Sequence, residues 1–247
     1  MNNTRQIKTF IVAMVLAGIG AAGYASFRSH TQHAYLALAV LALAAASSRL
    51  KVKLPGINGN MSVNLPFLLT AVVSLRAAEA VVVTGASTLV QCWPRKNGKL
   101  NPQQITFNLS MMMFATAFAS LLAHAQWLAA IGPEMRTTLS VLLGAAALFL
   151  AQTVPVARIV ALTEGKPFTK LWKELAQLSF PYYVLSAGVT SMVQASGSHV
   201  GWGLTLAVFP VMFGIHRSYR TYFSPILALL ADGPRRQVMV RAAAAGA

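Results

Sequence analysis

The chain has 247 residues, 56% of them hydrophobic and 10% charged, with 20 Lys and Arg against 5 Asp and Glu. Its mean hydropathy is +0.59. A soluble domain carries about 25% charged residues, so these values exclude an ordinary water-soluble globule and point to a chain that crosses a membrane repeatedly.

The net charge of +15 lies in short clusters between apolar runs, not on one face of a folded domain. That pattern suits loops that set topology against anionic lipid, and it argues against nucleic-acid binding. Apolar runs fit for spanning helices lie at roughly 9–27, 34–48, 62–75, 78–93, 103–124, 137–157, 180–196 and 200–216. The expected fold is all-α: a polytopic transmembrane helical bundle of about eight spans, forming a single membrane-embedded domain over 1–247.

The first run follows Arg5 and Lys8 and has the small residues Gly23 and Ala25 near its end, as a signal peptide would. Phe27 and Arg28 follow directly, and the run reads as a retained anchor. Within it Gly18, Gly20 and Gly23 spell GxGxxG. A dinucleotide fingerprint must follow a strand and open a helix, so here the glycines imply close helix packing.

Between Val73 and Val83 the stretch VSLRAAEAVVV places Arg76 and Glu79 between two apolar runs. A single helix over 62–93 would be about 48 Å long at 1.5 Å per residue, well beyond the roughly 30 Å hydrocarbon core. A turn at Arg76 and Glu79 on the outer face, with both termini cytoplasmic, leaves only Arg28, Arg76 and Arg136 outside, as the positive-inside bias requires. The two helices flanking this turn are then short. The preceding KLPGINGNMSVNLP favours non-helical backbone through Pro55, Gly56, Gly59, Asn60, Asn64 and Pro66. At membrane depth such backbone must be covered by protein or line a wet cavity, and short interrupted segments mark binding sites in many transporters.

Asn64, Gln91, Asn108, Ser110, Gln152, Gln177 and Gln194 stand in or beside the apolar runs, with no carboxylate at mid-span. Proton relays keep Asp or Glu in the bundle, so a pump is not indicated. The candidate ligand-binding set is Asn64, Arg76, Glu79, Gln91 and Asn108. The outer histidines His30, His33, His124 and His199 would have to converge from three loops to hold a metal, without a carboxylate or cysteine beside them, and are read as interface residues. The lone Cys92 forms neither an intrachain disulfide nor a thiolate cluster. No metal or cofactor is expected.

The segment 167–179 reads as an amphipathic cytoplasmic helix, with Phe168, Leu171, Trp172 and Leu175 on one side and Lys170, Lys173 and Glu174 on the other. Its apolar face would anchor in lipid or dock a protein partner. Pro225 can start a short helix that Gly233 and Pro234 stop, and 232–247 reads as a flexible C-terminal tail.

The stretch from Arg49 to Ala115 resembles the N-terminal membrane-embedded sensory regions that precede diguanylate cyclase (GGDEF) or HD-GYP phosphodiesterase domains in some bacteria. The resemblance rests on a basic cluster before a Pro/Gly turn, paired short helices split by Glu79, an inner loop with Trp93 and Arg95, and Phe107 with Asn108 opening the next helix. By architecture these regions look like the substrate-binding membrane components of energy-coupling-factor transporters. The resemblance implies a bacterial inner-membrane protein that signals through a separate polypeptide, because no GGDEF, HD-GYP, kinase or ATPase sequence is present.

The expected function is thus a stand-alone membrane sensor or scaffold with a small-ligand cavity in the short helices of 62–93. The alternative is the small-molecule binding subunit of a transporter, with a cavity open outward near Asn64, Arg76 and Asn108. Enzymatic activity is not expected, since no serine stands in GxSxG and no acid is placed to orient a histidine.

Overall fold

In the computed structural model, residues 2–28, 34–49, 51–53, 60–93, 101–196 and 214 are described. They form α1 (Asn2–Arg28), α2 (Ala34–Ser48), β1 (Lys51–Lys53), β2 (Asn60–Ser62), α3 (Leu65–Ser74), α4 (Ala77–Cys92), α5 (Pro102–Ala123), a 3₁₀ turn (Gln126–Ala130), α6 (Pro133–Glu164) and α7 (Phe168–Ser196). The expected span at 200–216, Gly214 apart, and the tail at 232–247 lie outside the described residues.

Among the described residues, three helices are long and apolar enough to cross a membrane: Thr4–Phe27, Pro102–Ala130 and Met135–Glu164. Exposed apolar side chains ring the bundle, among them Leu16, Ile19, Val82, Leu142, Val184 and Met192. In water such a surface would drive association; in a bilayer it is the favoured face.

Of the non-helical backbone expected before the first short helix, Pro55, Gly56 and Gly59 lie outside the described residues, and β1 and β2 pair antiparallel with Val52 opposite Met61. The chain then enters α3, whose ten residues rise only about 15 Å. Eight of those ten are buried, from Leu65 through Val72. A helix apolar on every side must be covered on every side, and α2, α4, α5, α6 and α7 all pack around it. Gly144 of α6 allows one such approach: a Cβ there would lie 3.3 Å from Val72 Cγ1 and 3.4 Å from Leu69 Cδ1.

The turn between the short helices is tighter than the sequence suggests. α3 ends at Ser74 and α4 begins at Ala77, so Glu79 belongs to the first turn of α4. Its Oε2 accepts the Arg76 backbone N–H at 3.1 Å, half of a capping box. Glu79 is buried and Arg76 exposed.

Helix α5 packs against α1, α4 and α6. Of the glycines in the first helix, Gly18 makes the close approach: a Cβ there would fall 2.6 Å from the Ser110 carbonyl oxygen, whereas Gly20 and Gly23 meet nothing within 4 Å. α6 ends at Gly165, whose φ of +67° closes the helix in the left-handed region, and Pro167 prevents its resumption.

The amphipathic segment differs from expectation. It is no separate interfacial helix but the first half of α7, which runs unbroken through Pro181 to Ser196. Phe168, Trp172, Leu175 and Leu178 pack on Val156 and Ala157 of α6, and Leu171 is buried as well. Trp172 Nε1 donates to Thr153 Oγ1 at 3.3 Å. The apolar face expected to meet lipid or a partner is turned toward the neighbouring helix, because only three residues separate the end of α6 from the start of α7, which folds back along Thr153, Val156 and Ala157.

Candidate functional site

A cavity of about 850 Å³ opens among α1, α3, α4, α5, α6 and α7. Each of the long helices contributes a stripe at helical spacing: Thr4, Lys8 and Ile11 from α1; Gln104, Asn108 and Met111 from α5; Gln152, Val156 and Ile159 from α6; Leu175, Ser179 and Tyr182 from α7. The floor is buried and largely apolar, with Leu65, Leu68, Phe107 and Met111. The rim is exposed and polar, with Asn101, Gln103, Gln104 and Thr163. Its volume falls within the 300–1,000 Å³ typical of small-molecule sites.

Asn64, Gln91 and Asn108 come together in this lining. Arg76 and Glu79 do not. They lie past the far end of α3, whose ten residues separate them from the cavity-facing Asn64, and there Glu79 caps α4. Asn64, Cys92 and the first turn of α5 share the mouth end with Lys8. The opposite end carries the Arg76 turn and the start of α6, where Ser140 Oγ donates to the Ala123 carbonyl at 2.7 Å.

Asn64 sits at the N-cap of α3, a position where asparagine ordinarily accepts a backbone N–H from the first turn. Its side chain makes no such bond. Other groups have taken that role: Tyr182 Oη accepts the Leu65 N–H at 3.3 Å, Pro66 has no N–H, and Phe67 and Leu68 donate to the Asn64 carbonyl at 3.1 Å each. The Asn64 side chain is thereby released to the cavity. Its residue is 4% exposed, and Nδ2 is buried with no hydrogen-bond partner among the described residues.

Gln152 presents a second such group. Tyr183 donates its hydroxyl to Gln152 Oε1 at 2.6 Å, and in this arrangement Nε2 is buried and unpartnered among the described residues. Each unsatisfied buried donor costs about 1–3 kcal/mol. The cavity hydroxyls, by contrast, are occupied. Thr88 donates to the Thr84 carbonyl at 2.7 Å, Ser179 to that of Leu175 at 2.7 Å, and Thr153 to that of Phe149 at 2.7 Å. Asn108 Nδ2 approaches Cys92 Sγ at 3.7 Å, a weak contact.

At the rim Glu164 pairs with Lys166 at 2.6 Å, and the carboxylate holds the Lys166 ammonium above its ordinary range. Lys8 is the one lining cation among the described residues, and Glu164 the one lining anion.

Sequence reasoning counted Gln152 among the in-span polar residues but left it out of the candidate set, and it missed Tyr182 and Tyr183. The overlooked signal is proline. Pro155 and Pro181 interrupt the backbone ladders of α6 and α7 beside Gln152 and the tyrosine pair. Of the outer histidines, His124 is exposed with Nδ1 3.0 Å from the Ser120 carbonyl, and His30, His33 and His199 lie outside the described residues. Among the described residues no three His, Cys, Asp or Glu side chains group to hold a metal. No family model, curated protein or solved structure matches the chain.

Proposed function

We propose that this chain is a multi-pass protein of the bacterial cytoplasmic membrane that binds a small molecule from the cytoplasmic side and reports its presence to a separate protein. Eight spans with both termini inside fit the charge distribution. In that topology the mouth end, with Lys8, Arg49 and the exposed Lys170 and Lys173, is the basic, cytoplasmic one. The observation that carries the reading is the pair of buried amide donors, Asn64 Nδ2 and Gln152 Nε2, turned into one cavity without partners among the described residues.

Helix α7 supplies the route outward. Leu175, Ser179, Tyr182 and Tyr183 line the cavity, and Lys170 and Lys173 stand exposed one to two turns away on the same rod. A ligand that prefers one position of α7 shifts the population of that position, and a partner that reads the lysine face senses it. The chain does no chemistry in this reading; the output belongs to the partner.

The transporter-subunit alternative calls for an outward opening near Asn64, Arg76 and Asn108; Asn64 and Asn108 line the cavity, whereas Arg76 lies at the end of α3 away from its mouth. The test is mild extraction from the native membrane followed by mass spectrometry of bound small molecules and proteins, for wild type and Asn64→Leu. A small molecule retained by wild type and lost from the folded variant supports the proposal. Wild type recovered with an ATPase pair and a coupling subunit, or with no bound molecule, overturns it.

A further inference from the structure

We infer that the cavity takes an apolar molecule bearing an acceptor-only, anionic oxygen group, a carboxylate being the simplest member. The inference rests on the ligand-binding reading above and adds the chemical class.

Among the described residues, the buried lining atoms without a hydrogen-bond partner are of one kind. The hydroxyls of Thr88, Thr153 and Ser179 spend their protons on helix carbonyls, Tyr183 spends its proton on Gln152, and the Tyr182 oxygen is engaged by Leu65 N–H. The two buried atoms that remain, Asn64 Nδ2 and Gln152 Nε2, are donors. A molecule that brings its own donors leaves both unpaired; one that brings acceptors satisfies them.

Charge points the same way. Lys8 lines the mouth, and the only lining carboxylate among the described residues, Glu164, is neutralised by Lys166. The body of the molecule meets Leu68, Phe107, Met111, Met112, Val156 and Ile159, which offer no polar atoms beyond the soft methionine sulfurs.

Cys92 is the sole cysteine of the chain and lines the cavity, so its alkylation by a maleimide reads occupancy without any mutation. The full chain in detergent is treated with 2-naphthoate, 2-naphthylmethylammonium or 2-methylnaphthalene, which share one apolar body, and with dodecanoate. The expected result is half-protection of Cys92 by a carboxylate at about tenfold lower concentration than by the ammonium or the hydrocarbon, the size of one good hydrogen bond.

Dodecanoate as the better carboxylate identifies a membrane acyl chain as the source, and naphthoate as the better one a soluble aromatic acid. Gln152→Met, checked for helix content and monodispersity, should erase the preference, and Gln152→Glu should reverse it toward the ammonium. Equal protection by all the naphthalene probes overturns the acceptor inference while leaving a cavity that binds apolar molecules. Protection by none overturns the ligand-binding reading itself. The wild-type series decides between these even where a variant does not fold.

Discussion

The hydroxyl of Tyr183 donates to Gln152 Oε1 at 2.6 Å, joining α7 to α6 one turn before Pro155. This bond satisfies a tyrosine hydroxyl in the bundle, where Phe149 packs edge-on against the same ring at a centroid distance of 5.1 Å. In this arrangement Gln152 Nε2 meets the cavity. Tyr183→Phe keeps the ring contact and releases the amide. Stability in detergent should fall by about 1 kcal/mol, within the range measured for hydrogen bonds between membrane helices. The preference for carboxylate over ammonium probes at Cys92 should narrow at the same time, since Gln152 can then turn either end inward. A thermal melt and the alkylation assay measure the two effects separately.

The glycines of α1 divide into one that is needed and two that are not. A methyl at Gly18 meets backbone atoms of Ser110 on α5, at 2.6 Å from O and 2.8 Å from Cα, and backbone cannot step aside without moving the helix. Gly18→Ala should cost about 1–3 kcal/mol, the usual price of overpacking. Gly20→Ala and Gly23→Ala meet open space and should leave stability unchanged or raise it by up to about 1 kcal/mol through helix propensity. Melting temperatures of the three single variants decide it; equal losses at all three positions would show that α1 does not pack on α5 in this register.

The first half of α7 offers a similar division between its faces. Leu171 is 5% exposed and Leu175 9%, the latter against α6 and the cavity, whereas Lys170 and Lys173 are exposed. Leu171→Ala should destabilise the protein by about 2–5 kcal/mol, as for a core leucine. Lys170→Gln with Lys173→Gln should stay within about 0.5 kcal/mol of wild type, as for surface positions. A pull-down with the lysine double variant then reports on partner contact free of any folding defect.

The order of the helices was legible because hydropathy and turn chemistry act locally. Arg76 with Glu79 broke the run at 62–93, whereas α6 continues to Glu164, past the end expected at 157. Tertiary geometry was not legible in the same way. Glu79 read as a site residue because a carboxylate near apolar runs is costly, yet its Oε2 is engaged by the Arg76 N–H. Asn64 was found because it is polar beside a short helix, but the backbone N–H next to it is taken by Tyr182, 117 positions after Leu65 along the chain. The continuity of α7 was hidden as well. Pro181 reads as a boundary in sequence, and only packing against α6 and α3 shows that the helix continues through it.

The side on which the cavity opens follows from a single orientation and can be measured with the same native cysteine. Cys92 lies at the mouth end, with Arg49 Nη1 donating to the neighbouring Trp93 carbonyl at 3.3 Å, and Arg136 stands exposed in the first turn of α6 at the opposite end. In sealed inside-out vesicles a membrane-impermeant maleimide should label wild-type Cys92, and in right-side-out vesicles it should not. In a Cys92→Ser background, Arg136→Cys should show the reverse pattern. The positive-inside bias predicts this sense because the basic residues Lys8, Arg49, Lys166, Lys170 and Lys173 cluster with the mouth. The opposite labelling would put the mouth outside the cell. An outward-facing cavity lined by two free amides is what a transporter's binding subunit requires, so that outcome would replace the sensor reading with the transport one.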